Sequence, residues 1–309
     1  MTEEWLRNRR GTDMQACPLG SLPAGIKEEA RMDRLRIAQA QMPVITDRDT
    51  LADYLKKTME TCTEKNAELL ALPEMFCCPY DIKSFPVFAE PEGGSVWQLC
   101  SDLARSFHIW LSAGTIPERT ADGRIYNTAY VFSPDGRQAA KHRKMHLFDI
   151  GVKGGQHFRE SDILSAGDSV TVFSTEFGPV GLAVCFDIRF PELFRLMALK
   201  GARIVLVPAA FNLTTGPMHW ELLFRSQAVN NQLFVVGTSS ARDESASYVS
   251  WGHSIAADPW GRILSQADAG EELVFTELDL TEVEKVREQI PVMNSLRTDV
   301  YQVREESDL

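Results

Sequence analysis

The 309-residue sequence has no apolar run near the roughly 20 residues that a membrane-spanning helix needs. Its first twenty residues, MTEEWLRNRRGTDMQACPLG, also lack the apolar core of a secretory signal. A cytoplasmic protein with no membrane contact is the expectation. Positive charge is in the minority, with 32 Lys and Arg against 43 Asp and Glu and a formal charge of −11; this argues against an electrostatic grip on nucleic acid. Cysteine is sparse: Cys17, Cys62, Cys77, Cys78, Cys100 and Cys185, with no C-x-x-C pair, make neither a disulfide scaffold nor a structural zinc site. Adjacent Cys77 and Cys78 would alternate faces in a strand and form no ligand set. No G-x-G-x-x-G follows a strand-like run and no G-x-x-x-x-G-K-[ST] occurs, so dinucleotide and P-loop chemistry have no support. His142 and His146 stand four apart, but the cations Arg143 and Lys144 lie between them and disfavour a metal. No metal and no cofactor is expected.

What is present is 44% hydrophobic residues, enough for one large α/β domain or two ordinary ones. Residues 1–33 mix charges with glycine, proline and Cys17 without periodicity and read as an extension, mobile or at a subunit contact. The folded domain is expected over residues 34–303, with 304–309 a tail. Short apolar runs at 35–42, 68–73, 109–114, 127–132, 180–185, 203–208, 233–238 and 272–278 read as strands. Between them, Leu51, Tyr54, Leu55, Met59 and Cys62 recur at helical spacing, as do Val96, Leu99 and Leu103, then Leu193, Leu196 and Met197, then Trp220, Leu223, Phe224 and Gln227. That alternation is the α/β pattern. Residues 68–76 and 203–211 echo each other as strand, proline and a loop ending in Phe, which suggests two like halves. Pro134-Asp135-Gly136 and Asp258-Pro259-Trp260-Gly261 mark turns.

Three residues stand out chemically. Cys185 ends the expected strand and is followed by Pro191 at the start of an amphipathic helix; α/β sheets place ligands at such a turn, and a helix N-terminus there favours a thiolate. Glu74 follows Pro73 at the end of an apolar strand, where partial desolvation suits a general base. Lys144 sits in a cationic stretch and can steady an oxyanion beside a thiolate. Taken singly, the plainer readings are a small buried hydrophobe, a structural ion pair and a solvated basic loop. Gly252-His253-Ser254-Ile255-Ala256 is like a nucleophile elbow but lacks the second glycine and a following helix, so it reads as structure.

Together, Leu72-Pro73-Glu74-Met75, Arg143-Lys144-Met145-His146 and Val184-Cys185-Phe186-Asp187-Ile188-Arg189-Phe190-Pro191-Glu192-Leu193 resemble the three signatures of the nitrilase superfamily of carbon–nitrogen hydrolases, over about Arg34 to Val303. The resemblance implies a four-layer αββα sandwich of two pseudo-symmetric halves, a homodimer or higher homo-oligomer, and a Glu74, Lys144, Cys185 triad with Glu160 as a second glutamate. It also implies that Cys185 attacks an amide carbonyl, Glu74 moves the protons, and Lys144 with the Phe186 backbone N–H holds the oxyanion. His146-Leu147-Phe148-Asp149, the segment 210–221 and Tyr248-Val249-Ser250-Trp251-Gly252-His253 look most like the ω-amidase branch, which hydrolyses the terminal amide of α-ketoglutaramate and α-ketosuccinamate. Nitrilases proper carry Cys-Trp-Glu where this chain has Cys185-Phe186-Asp187. For a substrate bearing a carboxylate, Arg189 is the cation to bind it, against the plainer reading of an ion pair with Glu192 or Asp187; Phe211 and Thr215 would wall the pocket. The rival readings are a deaminated-glutathione amidase, an N-carbamoyl or aliphatic amide hydrolase, and a non-catalytic relative that binds a small molecule.

Overall fold

The computed structural model describes residues 32–151 and 157–306, so nearly all of the extension expected over 1–33 lies outside the described residues. In chain order the elements begin with β1 (Arg34–Gln41), α1 (Arg48–Glu64), β2 (Leu69–Ala71), α2 (Ser84–Phe88), α3 (Ser95–Phe107), β3 (Trp110–Arg119), β4 (Ile125–Phe132) and β5 (Gln138–Arg143). They continue with β6 (Asp149–Gly151), β7 (His157–Arg159), β8 (Thr171–Thr175), β9 (Gly178–Leu182), α4 (Pro191–Leu199) and β10 (Ile204–Ala209). The last are α5 (Gly216–Asn231), β11 (Phe234–Ser239), β12 (Ile255–Ala257), β13 (Ile263–Gln266), β14 (Glu272–Asp279) and α6 (Thr281–Gln289).

Two six-stranded sheets share one plan. The first runs β14-β1-β2-β3-β4-β5 and the second β8-β9-β10-β11-β12-β13. In each, three central strands are parallel, one antiparallel strand closes one edge and two antiparallel strands close the other. The echoed segments supply the middle strand of each sheet, β2 and β10, which accounts for the echo as a repeat of the whole half.

Alternation along the strands sorts side chains between layers. Leu35, Ile37, Leu69, Ala71, Trp110, Ala129 and Val131 of the first sheet share a buried cluster with residues of the second, including Leu182, Leu206 and Val236. Their neighbours Ala38, Ala40, Leu70, Leu111, Tyr130 and Phe132 pack on the other side against Leu51, Leu55 and Met59 of α1 and Val96, Cys100 and Leu103 of α3. The second sheet is covered in turn by α4 and α5, giving the αββα sandwich. Burying both sheet faces explains why the strands read as near-continuous apolar runs, and each large side chain removed from water contributes roughly 1.5–3 kcal/mol. Two glutamines cross the sheet–sheet interface. Gln39 Nε2 donates to Gly237 O at 2.8 Å, and Gln41 Oε1 accepts from the N–H and hydroxyl of Ser254 at 2.8 and 3.0 Å. The elbow-like serine is thus held in a structural role.

The structure departs from the sequence reading at several elements. β5, β8 and β13 carry too few apolar residues to show as runs, because they lie at sheet edges with one face only partly covered, and β12, though buried, is only three residues long. β9 stops at Leu182, and Cys185 opens a 3₁₀ turn, Cys185–Arg189, instead of finishing a strand. Cys77 and Cys78 lie in a turn, both buried, not on a strand. Near the end of the described residues, Glu305 accepts from Val170 N at 2.9 Å and pairs with Lys200 at 2.7 Å. Among the described residues no helix is long and apolar enough to cross a membrane.

Close packing of α5 on the second sheet depends on Gly237: a Cβ there would stand 2.2 Å from Cε1 of Phe224. Gly237→Ala should cost about 1–3 kcal/mol by overpacking, read as a lower urea midpoint. Gly270→Ala, where nothing lies within 4 Å of the added Cβ, should leave the midpoint in place.

Candidate active site

Glu74 is placed by the loop that follows β2. Pro73 cannot donate to a ladder and ends the strand, and Met75 turns the chain with a left-handed φ of 52°. β3 grips both sides of the glutamate: Thr115 N donates to Pro73 O at 3.2 Å and Thr115 Oγ1 accepts from Met75 N at 2.9 Å. This close approach requires Gly114, whose φ is +50° and whose Cβ would fall 2.0 Å from Pro73 O. Lys144 follows β5 directly, its N–H donating to Asn127 O of β4 at 2.9 Å. Glu160 opens a short 3₁₀ turn after β7. Cys185 takes a φ of 45°, a strained conformation for a side chain with a Cβ that costs roughly 1–2 kcal/mol.

The plainer reading of Lys144 as part of a solvated basic loop does not hold, since its side chain is fully buried. Its Nζ lies 3.0 Å from Glu74 Oε1, 3.0 Å from Glu160 Oε1 and 3.2 Å from Tyr80 Oη. Tyr80 Oη also donates to Glu160 Oε1 at 2.6 Å, while Phe148 N donates to Glu160 Oε2 at 2.6 Å. Glu74 Oε1 additionally receives Asn127 Nδ2 at 2.7 Å. One oxygen of Glu74 is therefore held by Lys144 and Asn127, with the Tyr80 hydroxyl 3.2 Å away. The other, Oε2, is buried without a hydrogen-bond partner, and the Cys185 thiol lies beside the same carboxyl.

The charges respond to this enclosure. Burial pushes the Glu74 carboxyl above the ordinary carboxylate range; Lys144 pulls it back only in part, and Glu160 pushes the same way as burial. Burial alone would lower the Lys144 pKa, but Glu160 and then Glu74 more than offset it, so the ammonium stays charged. Burial and the charge of Glu74 drive the Cys185 thiol well above the usual thiol range, with Lys144 opposing. A thiol therefore lies beside a buried carboxyl of raised pKa, a pairing between which a proton can pass.

Phe148, Phe186, Arg189, Ala210, Phe211, Thr215 and Tyr248 line a tight cleft of ≈ 10 Å³ at Cys185. Arg189 forms neither expected ion pair. The Asp187 carboxylate is taken by His142 and His146 at 3.2 and 2.7 Å, and Arg189 Nη1 instead meets His219 Nδ1 at 3.2 Å. Its guanidinium lies over Phe186 and Phe211, 5.5 and 5.1 Å from their ring centres. Among the described residues no carboxylate pairs with it, and its Nε is buried without a partner. Thr215 Oγ1 donates to Asn212 Oδ1 at 3.1 Å, closing the loop before α5.

The structure thus brings Glu74, Lys144, Glu160 and Cys185 together and sets Phe186, Arg189, Phe211 and Thr215 around the thiol. The two histidines four apart flank Asp187, and no group of three or more His, Cys, Asp or Glu among the described residues is arranged to hold a metal. Sequence reasoning gave no site role to Tyr80 or Asn127 and named Tyr248 only within an ω-amidase-like segment. Asn127 carried a signal, since an amide inside the apolar run 127–132 must find a buried partner; Tyr80, alone in a turn, carried almost none.

The sequence model of the family described as "Carbon-nitrogen hydrolase" matches residues 34–288. The chain is 43% identical over 272 residues to a Bos taurus protein named omega-amidase NIT2, covering 88% of this chain and 98% of that one. It is 46% identical over 270 residues to the Homo sapiens omega-amidase NIT2, covering 87% and 97%. Among solved structures, Saccharomyces cerevisiae Nit3, described as a member of branch 10 of the nitrilase superfamily, superposes with a TM-score of 0.80 at 36% identity, covering 88% of this chain and 99% of that one.

Tyr80→Phe removes the one side-chain hydroxyl, among the described residues, within reach of both buried carboxylates. It should lower stability by about 1–3 kcal/mol, measured by urea unfolding at neutral pH; an unchanged midpoint would mean that the phenol is not part of the charge network.

Proposed function

The chain belongs to the carbon–nitrogen hydrolase family, and from that premise we propose that it is an amidohydrolase of the ω-amidase type, releasing ammonia from the terminal amide of a small carboxylate-bearing substrate. The observation that carries this reading is the asymmetry of Glu74, with one oxygen held by Lys144 and Asn127 and the other buried without a partner, in a carboxyl that lies beside a thiol.

Glu74 takes the proton as Cys185 Sγ attacks the amide carbon. The carbonyl oxygen gains the negative charge, which the Lys144 ammonium and the Phe186 N–H hold; each such donor is worth about 3 kcal/mol in the transition state. Glu74 then returns the proton to the leaving nitrogen, the C–N bond breaks, ammonia departs and a thioester remains. A water deprotonated by Glu74 attacks the thioester, and collapse of that intermediate returns the acid and the free thiol. Glu160, bonded to Lys144 and to Phe148 N, fixes where the ammonium points. The raised Glu74 pKa suits a group that must give its proton back.

Arg189 supports the substrate class. A half-buried guanidinium at the rim of the cleft with no carboxylate partner is matched by a substrate that brings one, bound bidentately. Phe211 and Phe186 hold the guanidinium plane and wall the aliphatic segment between carboxylate and amide.

A side-by-side ammonia-release assay with α-ketoglutaramate, α-ketosuccinamate, deaminated glutathione, N-carbamoyl compounds and a simple aliphatic amide tests the reading. The two keto-acid amides should be fastest, and Cys185→Ala should reduce release by roughly 1,000-fold or more. Arg189→Lys should raise KM for α-ketoglutaramate by about tenfold, near 1.4 kcal/mol, and leave the simple amide little changed. A best rate on deaminated glutathione or an N-carbamoyl compound would reassign the substrate, and equal activity of Cys185→Ala would discard the mechanism.

A further inference from the structure

We propose that Asp187 is a positioning residue for this reaction, its single carboxylate tying the segment that carries Lys144 to the turn that carries Cys185. The inference rests on the amidohydrolase reading above and adds a residue that does not touch the reacting atoms.

Asp187 is fully buried two residues beyond the nucleophile. Oδ1 accepts from His146 N at 2.9 Å and meets His146 Nδ1 at 2.7 Å. Oδ2 accepts from Val184 N at 3.0 Å and meets His142 Nε2 at 3.2 Å. His142 and His146 bracket Lys144 by two residues on each side, and Val184 immediately precedes Cys185. One planar group therefore holds the chain before and after the ammonium and immediately before the sulfur. It also helps keep Cys185 in its left-handed conformation, because Asp187 N closes the same turn on Val184 O at 3.0 Å.

The clamp is braced from outside. His142 Nδ1 lies 3.0 Å from Thr171 Oγ1 of β8, and the His146 ring stacks on Phe190 at 3.5 Å with an interplanar angle of 10°. The two histidines that suggested a metal by their spacing are spaced to reach the two oxygens of one carboxylate.

The arrangement requires a carboxylate and not merely a hydrogen-bonding group of that size. Two of the donors, His146 N and Val184 N, are backbone N–H groups on different oxygens. An amide in place of the carboxyl, in either orientation, must turn its NH₂ toward one of them, so one of the two ties is lost. Movement at either side changes the separation of Nζ and Sγ, to which the attack geometry is steeply sensitive.

The test is Asp187→Asn in the full chain, with wild type and Cys185→Ala in parallel. Folding is followed by circular dichroism, and competent sites are counted by iodoacetamide labelling of Cys185. Turnover is ammonia release from α-ketoglutaramate per labelled site. We expect kcat per site to fall by about 10- to 100-fold with KM within about threefold, whereas a merely structural role would reduce the number of labelled sites and leave turnover per site intact. A kcat per site within about twofold of wild type overturns the inference. If Asp187→Asn does not fold, His146→Ala, which keeps the backbone tie, decides: a fall of about threefold or more per site supports the clamp, and no change overturns it. A wild-type protein that releases no ammonia removes the amidohydrolase reading itself, an outcome distinct from an active wild type with an equally active Asp187 variant.

Discussion

A lysine ammonium enclosed away from water sets the terms for the rest of this structure. Stripping such a charge of its hydration costs several kcal/mol unless opposite charges and well-placed hydrogen bonds replace the water. Lys144 has Glu74 and Glu160 at 3.0 Å, and with only one cation between two acids the surplus falls on the less well-solvated carboxyl. That carboxyl is Glu74. Its second oxygen has no donor, burial holds its pKa up, and the group beside it is the thiol. An electrostatic requirement of folding thus yields the arrangement that the proposed mechanism uses to move a proton from sulfur to carboxylate and back.

The architecture explains why residues 74, 144 and 185 converge. Glu74 follows β2 and Cys185 follows β9, both parallel strands, and the Phe211 loop follows β10; open α/β sheets present their loops for binding at these strand ends. Two sheets of like plan, packed face to face, bring the loops of both halves to one place. The left-handed residues Met75 and Cys185 bend the chain sharply enough to aim each side chain inward, and β3 through Gly114 and Thr115 holds the first bend as Asp187 holds the second.

Much of this was legible in the amino-acid order, for reasons that differ by element. The central strands and four covering helices announce themselves because burial on both faces demands long apolar runs and regular spacing. The peripheral strands do not; β5, with Gln138, Lys141, His142 and Arg143 in its six residues, looks like a polar loop until its pairing with β4 is known. For the same reason Lys144 was open to reading as solvated, although it has no exposed side-chain surface. Glu74, Lys144, Glu160 and Cys185 were identified through the motif resemblance, which does not say which oxygen of Glu74 is free. The partners Tyr80, Asn127 and Asp187 were not legible as such, because each acts through a contact across tens of residues of sequence, and the spacing of His142 and His146, between which cations disfavour a metal, did not reveal that their common partner is a carboxylate.

The central claim is that the buried triad works through covalent catalysis at Cys185. The most direct measurement is intact-protein mass spectrometry after rapid acid quench of the enzyme with excess α-ketoglutaramate. The account predicts a transient adduct equal to the substrate less one ammonia, located on the peptide containing Cys185 and absent from Cys185→Ala. Ammonia release at the wild-type rate by Cys185→Ala, with no adduct in either protein, would contradict it.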